Sequence, residues 1–237
     1  MCFNYDDSVI ATRERVTCFK PIQDLDINER FFHEIAWYLY KGYRILDIGT
    51  GNGYVLKELI RRNHDLALEF YGVDNSAEMV KAASEELGDL ADIVRGSAER
   101  LPFRDVTFEV VTAKNVTRIN MREVYRVLKH GGVFVFREYG TGKGLCEVTK
   151  LFPGRVIRQR EPEYYKRMAE DAGLSVIRLN SYLFTRKYDS AEDIVTIVRS
   201  FPLIQDFGEA DEQLIIESCR DATVSSDPFI MVCKKEF

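Results

Sequence analysis

The chain has few of the residues that hold metals or disulfide frameworks. Its 237 residues include five cysteines and three histidines, which are scattered without a C-x-x-C pair or a Cys/His cluster. A zinc site needs such ligands at short, regular spacing, so we expect no metal site. Scattered cysteines are typical of reduced thiols, and we therefore expect a cytoplasmic protein.

An excess of positive charge and a long apolar run are also absent. The 33 basic and 38 acidic residues give a net charge of −5, which provides no global attraction to nucleic acid or to an anionic membrane. The charge balance therefore argues against a nucleic-acid partner. No apolar stretch reaches the length of a membrane span, and the acidic N-terminus lacks a signal-peptide pattern, so we expect no membrane association.

The most informative feature is a glycine-rich turn between a strand and a helix. Residues 43–53 read Tyr-Arg-Ile-Leu-Asp-Ile-Gly-Thr-Gly-Asn-Gly, which predicts a buried strand at 44–48, a turn, and a helix at 54–62. Glycine permits a positive φ and lets a ligand approach the backbone. Because the first N–H groups of a helix are unpaired and partly positive, this arrangement indicates a nucleotide-type site.

Two phosphate-binding patterns fail at this turn. A dinucleotide fingerprint needs G-x-G-x-x-G, but its last position counted from Gly49 is Tyr54. A P-loop needs G-x-x-x-x-G-K-S/T, which is also missing. What remains is D-x-G-x-G-x-G, starting at Asp47. A second acid, Asp74, ends the next predicted strand, where a carboxylate can accept hydrogen bonds from ribose hydroxyls.

Predicted strands and helices alternate along most of the chain. Strands are predicted at 44–48, 66–73, 91–95, 108–113, 133–137, 174–184 and 228–235. Helices are predicted at 8–19, 26–40, 54–62, 76–87, 121–129, 162–172, 190–200 and 210–220, with an irregular excursion at 139–159. Most of these strands are continuous apolar runs, which is the signature of a parallel sheet covered on both faces.

Together these blocks resemble the S-adenosylmethionine-dependent methyltransferases of the Rossmann-like class (class I). Residues 72–79 (Gly-Val-Asp-Asn-Ser-Ala-Glu-Met), 96–103 (Gly-Ser-Ala-Glu-Arg-Leu-Pro-Phe) and 127–134 (Val-Leu-Lys-His-Gly-Gly-Val-Phe) are similar to motifs of that family. The resemblance covers about residues 43–138 and is typical of the group that includes the ubiquinone- and biotin-pathway enzymes. It implies an α/β fold with a doubly wound, mostly parallel seven-stranded sheet, an antiparallel last strand and a helical lid.

The resemblance also implies which residues face the cofactor. Asp47 and the turn would hold the methionine end, because S-adenosylmethionine carries an ammonium and a sulfonium and no phosphates. Ser97 departs from the family, whose loop usually has an aspartate there. The full implied set is Asp47, Gly49, Thr50, Gly51, Gly53, Asp74, Asn75, Met79, Ser97, Ala98, Lys114 and Asn115. For Lys114 and Asn115, a hydrogen-bonded strand end is an equal alternative.

Glu138 and Tyr139 are the catalytic candidates, since they follow the strand predicted at 133–137 and face the acceptor side. Methyl transfer from a sulfonium depends on positioning, and it needs a base only if the acceptor must lose a proton. Glu138 is therefore either a base or an ion-pair partner of Arg137 or a lid arginine. Pairing is the favoured alternative.

We predict a single domain over residues 1–237, with lid and substrate segments at 1–25, 139–160 and 188–224. The glycines of 139–160 indicate a flexible segment with low local stability. We expect this segment to close over the acceptor once acceptor and cofactor are both bound.

The lid charges are divided between two segments. Residues 137–167 carry eight basic and four acidic side chains (8 − 4 = +4), and residues 204–227 carry one basic and seven acidic ones (1 − 7 = −6). Arg155, Arg158 and Arg160 therefore receive a carboxylate or phosphate on the acceptor, pair across the lid, or face water.

These features favour S-adenosylmethionine-dependent methyl transfer to a small organic acceptor, with an anionic group on that acceptor as one possibility. A second hypothesis is methylation of tRNA or a protein through the basic segment 137–167. A third is a catalytically silent cofactor-binding subunit that supports a partner. No sequence feature indicates an oligomeric state.

Overall fold

The computed structural model describes residues 20–21, 26–116, 118–201 and 203–237. The helix predicted at 8–19 lies outside these residues, as does nearly all of the lid segment predicted at 1–25.

Ten strands are described. In chain order they are β1 (Lys20–Pro21), β2 (Arg44–Ile48), β3 (Glu69–Asp74), β4 (Asp92–Arg95), β5 (Phe108–Lys114), β6 (Leu128–Tyr139), β7 (Ser175–Ser181), β8 (Phe184–Lys187), β9 (Thr223–Ser226) and β10 (Pro228–Lys234). The main sheet has seven strands in the order β4-β3-β2-β5-β6-β10-β7. Six of them are parallel, and β10 runs antiparallel between β6 and β7. The predicted Rossmann-like sheet with an antiparallel last strand is confirmed.

Helices cover both faces of this sheet. They are α1 (Ile27–Ala36), α2 (Tyr54–Arg62), α3 (Ala77–Leu87), α4 (Met121–Val127), α5 (Cys146–Leu151), α6 (Pro162–Asp171), α7 (Ala191–Ser200) and α8 (Glu209–Ser218). Apolar residues of α4 and α6 share one core with the sheet, and those of α1 and α2 share a second core on the other face. Because both faces are covered, the strands are apolar nearly throughout.

Side-chain caps fix where several helices begin. Asp26 accepts from the N–H groups of Asn28 and Glu29 at 2.8 and 3.2 Å, and Ser76 accepts from Met79 N–H at 3.2 Å. Each of these N-terminal side chains accepts from N–H groups that have no partner within the helix. The starts of α1 and α3 therefore follow from the sequence.

A second unit, which we call the cap, covers the carboxyl edge of the main sheet. Its three-stranded sheet has the order β1-β8-β9, and α5, α7, α8 and β9 share a third apolar core. Strand β9 leads directly into β10, whose first residue, Pro228, pairs with Tyr139 at the end of β6. The cap is thereby tied to the edge where the parallel strands end.

Strand β6 begins earlier than predicted. The helix predicted to run to Lys129 ends at Val127, and Leu128 is already extended, with φ −68° and ψ 138°. The buried Lys235 amine donates to the carbonyl oxygens of Tyr125 and Leu128 at 2.9 Å each. This donor comes from the far end of the chain, so a local pattern could not reveal it.

The strand predicted at 174–184 is in fact two strands in different sheets. β7 pairs with β10, whereas β8 pairs with β9. The break falls where Tyr182 N–H donates to the carbonyl oxygen of Pro228 at 2.8 Å, opposite the break between β9 and β10. Strand β9 was not predicted from the sequence at all.

The excursion predicted at 139–159 is more ordered than expected, since it contains helix α5. Two smaller boundaries were also wrong. Helix α1 ends at Ala36 instead of residue 40, where Tyr38 N–H bonds back to Ile35. Strand β3 begins at Glu69, because residues 64–66 form a 3-10 turn and Ala67 has a positive φ of 46°.

Candidate functional site

The glycine turn joins β2 to α2 at the carboxyl edge of the main sheet. The N–H groups of Gly49 and Thr50 donate to the carbonyl oxygen of Val73 at 2.8 and 3.1 Å. Gly49, Gly51 and Gly53 have φ of 67°, 57° and 84°, a region that side chains disfavour. A Cβ at Gly53 would also lie 2.9 Å from a side chain of α3, so this glycine is required by conformation and by space.

Asp74, at the end of β3, is bound to this turn. Its Oδ2 accepts from Gly51 N–H at 2.9 Å, and its Oδ1 accepts from Ser76 N–H at 3.0 Å. Each carboxylate oxygen keeps a further lone pair, and the side chain is only partly buried. Asp74 therefore positions the turn and can still accept hydrogen bonds from a pair of hydroxyls.

Asp47 lies beneath the turn and is 1% exposed. Thr112 Oγ1 donates to its Oδ1 at 2.7 Å. Burial raises the pKa of Asp47 to about 7, against the Thr112 hydrogen bond and the positive charge of Lys114. A ligand cation placed here would favour the ionised carboxylate. The neighbouring Thr50 is also buried.

Four further residues of the implied cofactor set, Asn75, Met79, Ser97 and Ala98, lie where β3 and β4 end or in the segments that follow them. Asn75 and Ser97 are exposed, whereas Met79 is buried within α3. Ser97 Oγ accepts from Glu99 N–H at 3.1 Å, so this hydroxyl already stabilises its own loop. Ala98 packs against the core on the α4 and α6 side. The exposed pair is therefore the more accessible part of this group.

Lys114 and Asn115 differ in their surroundings although they are adjacent at the end of β5. Lys114 Nζ lies 4.3 Å from the centroid of the Tyr54 ring, which is a cation–π distance. Asn115 has a positive φ of 57°, and its Oδ1 accepts from Arg137 Nη1 at 2.9 Å. The hydrogen-bonded strand end that we gave as an alternative is therefore present at Asn115.

Glu138 is buried at the end of β6, and among the described residues its carboxylate forms no ion pair with Arg137 or with a lid arginine, which was the favoured alternative. Adjacent side chains on a strand point to opposite faces, which separates the two. Glu138 Oε1 instead accepts from Tyr139 N–H at 2.9 Å. Burial raises the pKa of Glu138 to about 7, against that hydrogen bond and the charges of Lys143 and Arg137.

The Tyr139 hydroxyl lies between two arginines. Arg137 Nη2 donates to it at 3.1 Å and Arg186 Nη2 at 3.3 Å. Both arginines are buried, with exposures of 2% and 5%. Burial opposes ionisation of the phenol, but the two guanidinium groups outweigh it and lower the pKa of Tyr139 to about 7.

Sequence analysis did not assign either arginine to the site. Arg137 carries a usable signal, since it is a charged residue directly after the apolar run of β6. Arg186 carries none, because it reaches Tyr139 from strand β8 of the cap, 47 residues away in sequence.

Arg155 pairs across the cap, which confirms one of the alternatives for this residue. Its Nη1 and Nη2 donate to the two carboxylate oxygens of Asp211 at 2.8 Å each. It also donates to the backbone carbonyl oxygens of Gln205 and Asp206. A guanidinium held in this way joins the basic and acidic segments, and the acceptor-binding alternative does not fit Arg155.

Two further features concern ligands and membranes. Across the described ranges, no three or more His, Cys, Asp or Glu side chains are grouped so that they could hold a metal ion. In the same part of the chain, every helix is too short or too polar to span a membrane.

Comparison with known proteins agrees with the fold. Residues 46–136 match a family model described as a methyltransferase domain. Over 172 residues the chain is 30% identical to the ubiquinone/menaquinone biosynthesis C-methyltransferase UbiE of Ruegeria sp., which covers 68% of this chain and 61% of that protein. The Agrobacterium fabrum protein of the same name is 31% identical, covering 67% and 63%. The chain thus spans less than two thirds of each relative's length.

Solved structures share the fold. Phosphoethanolamine N-methyltransferase 2 of Haemonchus contortus, bound to phosphomonomethylethanolamine and S-adenosylhomocysteine, has a TM-score of 0.61 at 16% identity, covering 98% of this chain and 58% of that one. The [4+2]-cyclase SpnF has a TM-score of 0.66 at 18% identity, covering 96% and 93%. Neighbours with such different reactions show that the fold alone does not fix the chemistry.

The sheet topology, the glycine turn after β2 and the acid at the end of β3 together are those of a Rossmann-like protein. With the matched methyltransferase domain and relatives, the chain belongs to the class I S-adenosylmethionine-dependent methyltransferases.

Proposed function

We propose that this protein transfers a methyl group from S-adenosylmethionine to a small organic acceptor. The observation that carries the proposal is the bond between Asp74 and the N–H of Gly51, at 2.9 Å. It joins the acid after the second strand of the main sheet to the glycine turn after the first. When bound, S-adenosylmethionine supplies a methyl group on a sulfonium, which is a good leaving group.

The residues at the β2 and β3 ends fit this cofactor. Asp47 offers a buried carboxylate that gains from a cationic neighbour, since burial raises its pKa to about 7. Asp74 has lone pairs left for ribose hydroxyls, and the positive φ of the glycines keeps side chains away from the turn. The residues assigned to the cofactor are Asp47, Gly49, Thr50, Gly51, Gly53, Asp74, Asn75, Met79, Ser97, Ala98, Lys114 and Asn115.

The acceptor would lie at the ends of β5 and β6, between the main sheet and the cap. Glu138 and Tyr139 are the groups of this region whose pKa values lie near 7, which suits proton transfer at neutral pH. Substrate segments at 139–160 and 188–224 form much of the cap around them, within the single domain that we assign to 1–237.

An acidic group on the acceptor is the finer part of this proposal. Burial lowers the pKa of Lys143, the charges of Glu138 and Asp227 oppose this shift, and the charges of Arg160 and Arg158 add to it. These three cations therefore lie near one another beside the turn that follows β6. An anionic substituent placed there would relieve their mutual repulsion.

The cysteines at 146, 219 and 233 are free thiols, which supports a reducing, cytoplasmic setting.

Two measurements test the proposal. Calorimetry with S-adenosylhomocysteine should show a single site that is lost or weakened in Asp74→Ala. Labelled S-adenosylmethionine, incubated with the protein and a small-molecule extract, should then transfer label to a low-mass product. Cofactor binding without any transfer, to the extract or to tRNA and protein fractions, would instead favour a silent binding subunit.

A further inference from the structure

Tyr139 has an unusual hydrogen-bond pattern for a phenol. Its oxygen accepts from Arg137 and from Arg186, at 3.1 and 3.3 Å. An oxygen that receives hydrogen bonds from two guanidinium groups has the environment of an anion.

The arginines are built into the fold around this oxygen. Arg137 is buried and also donates to Asn115 Oδ1 at 2.9 Å, so it bridges the side chains that follow β5 and end β6. Its Nε is buried without a hydrogen-bond partner among the described residues. Burying the Arg137 guanidinium beside a neutral phenol costs free energy, because its positive charge is not compensated. A phenolate in the same place would compensate that charge.

Other charged groups near Tyr139 act elsewhere. The Glu138 carboxylate bonds to the backbone N–H of Tyr139, not to its hydroxyl. Asp227 accepts from the N–H groups of Gly142 and Gly144, while the charge of Lys143 acts on Glu138. Tyr188 bonds to Arg186, but burial raises its pKa, so it remains a neutral phenol.

We propose that Tyr139, held between Arg137 and Arg186, is the group that takes the proton from the methyl acceptor, and that the two arginines are positioning residues. This inference rests on the proposed function. It also narrows the acceptor class to molecules whose reacting atom carries a removable proton, such as an acidic hydroxyl.

The proton balance of the step is simple. The phenolate oxygen of Tyr139 forms an O–H bond as the acceptor's own O–H bond breaks, and that electron pair stays on the acceptor oxygen. The acceptor oxygen then bonds to the methyl carbon while the carbon–sulfur bond breaks with its electron pair going to sulfur. Tyr139, now neutral, returns its proton to solvent, and no oxidant or metal is needed.

Near-ultraviolet absorbance of the ligand-free protein tests this assignment, because tyrosinate absorbs where tyrosine does not. On titration from about pH 5 to about pH 9, the wild type should gain the signal of one tyrosinate centred near pH 7, well below the ordinary tyrosine pKa of about 10. Tyr139→Phe should abolish this step. Arg137→Gln should move it upward by a unit or more, and Arg137→Lys should partly restore it.

Tyr165→Phe is the matched control, since burial raises the pKa of this neighbouring phenol and its loss should leave the neutral step intact. Should Arg137→Gln fail to fold, Arg186→Gln gives the same test from the cap. A wild type without a tyrosinate step below about pH 9, or a step that both arginine variants leave in place, overturns the inference. Calorimetry with S-adenosylhomocysteine reports separately on the proposed function, and Tyr139→Phe should bind it as the wild type does.

Discussion

Along the carboxyl edge of the main sheet, the ends of β2 and β3 carry different charged groups from the end of β6. At the β2 and β3 end, Asp47 and Asp74 bring carboxylates to the glycine turn. At the β6 end, Arg137 from the main sheet and Arg186 from the cap are buried around the Tyr139 phenol, and the buried acid Glu138 is the neighbouring residue. Lys114 stands between these ends, with its amine over the Tyr54 ring.

This difference suits the chemistry that we propose. A cofactor with an ammonium and a sulfonium is stabilised by carboxylates, and an acceptor that must become anionic is stabilised by guanidinium groups. The acidic end would hold the cationic reactant, and the basic end would prepare the nucleophile. The following predictions test whether this division is real.

Removing the acid at the cofactor end should have the largest effect. Asp74→Ala deletes a carboxylate that holds Gly51 and would also hold the ribose, and such charge-assisted bonds contribute roughly 1–3 kcal/mol. We expect S-adenosylhomocysteine affinity to fall by about 5- to 150-fold in calorimetry. Asp92→Ala, an exposed acid on the neighbouring strand β4, is the control. Equal affinity of Asp74→Ala and wild type would place the ribose elsewhere.

The acceptor end depends on a turn that the cap holds in place. Asp227 accepts from Gly142 N–H at 2.7 Å and from Gly144 N–H at 2.8 Å, and a Cβ at Gly144 would lie 2.8 Å from the Tyr139 ring. Asp227→Ala should therefore lower the local opening free energy by about 2 kcal/mol, which is roughly 30-fold faster amide exchange at residues 140–144.

Hydrogen exchange with mass spectrometry measures this effect, with Asp189→Ala as an exposed acid control in the cap. The sequence-based expectation was fast exchange over 139–160 until acceptor and cofactor bind. The Asp227 anchor leads us to expect protection of 140–144 already in the free protein. Fast exchange of this turn in the wild type would restore the expectation of an open segment.

The cofactor end could be predicted because its signals are local. The turn, its flanking strand and helix, and the acid ending β3 lie within about thirty residues, and their spacing follows from strand and helix geometry. The bounds of β2 and α2 were predicted without error. The hydrogen bond between Asp74 and the turn was not predictable, since it depends on the register of two strands.

The acceptor end could be predicted only in part, because its contacts join distant parts of the chain. Glu138 and Tyr139 followed from a strand end, but their partners did not. Arg186 depends on the split between β7 and β8, and the anchor at Asp227 depends on the matching break between β9 and β10. Apolar patterns predict that a segment is a strand, but they do not reveal which sheet it joins.

Cofactor affinity should also depend on pH through Asp47. Its pKa is about 7 in the free protein, and a ligand ammonium favours the ionised form, so binding must release a proton below that pH. Affinity for S-adenosylhomocysteine should therefore fall about tenfold from about pH 8 to about pH 6. Asp47→Asn should remove the dependence. Glu138→Gln, which alters the other buried acid of similar pKa, should keep the pH dependence of the affinity. If Glu138→Gln removes the dependence and Asp47→Asn keeps it, the cationic end of the ligand lies at β6.

The smallest effect should separate cap arginines that stabilise the cap from those that face the acceptor. Arg155 is held by Asp211, whereas Arg160 is exposed, with its guanidinium 4.4 Å from the centroid of the Tyr164 ring. Arg160→Gln should slow methyl transfer at limiting acceptor by about threefold, the size expected for one exposed charge. Arg155→Gln should leave that rate unchanged and instead speed amide exchange in α8. If Arg155→Gln impairs transfer while amide exchange in α8 stays as in the wild type, the acceptor site extends to Arg155. The ion pair between Arg155 and Asp211 must then open when the acceptor binds.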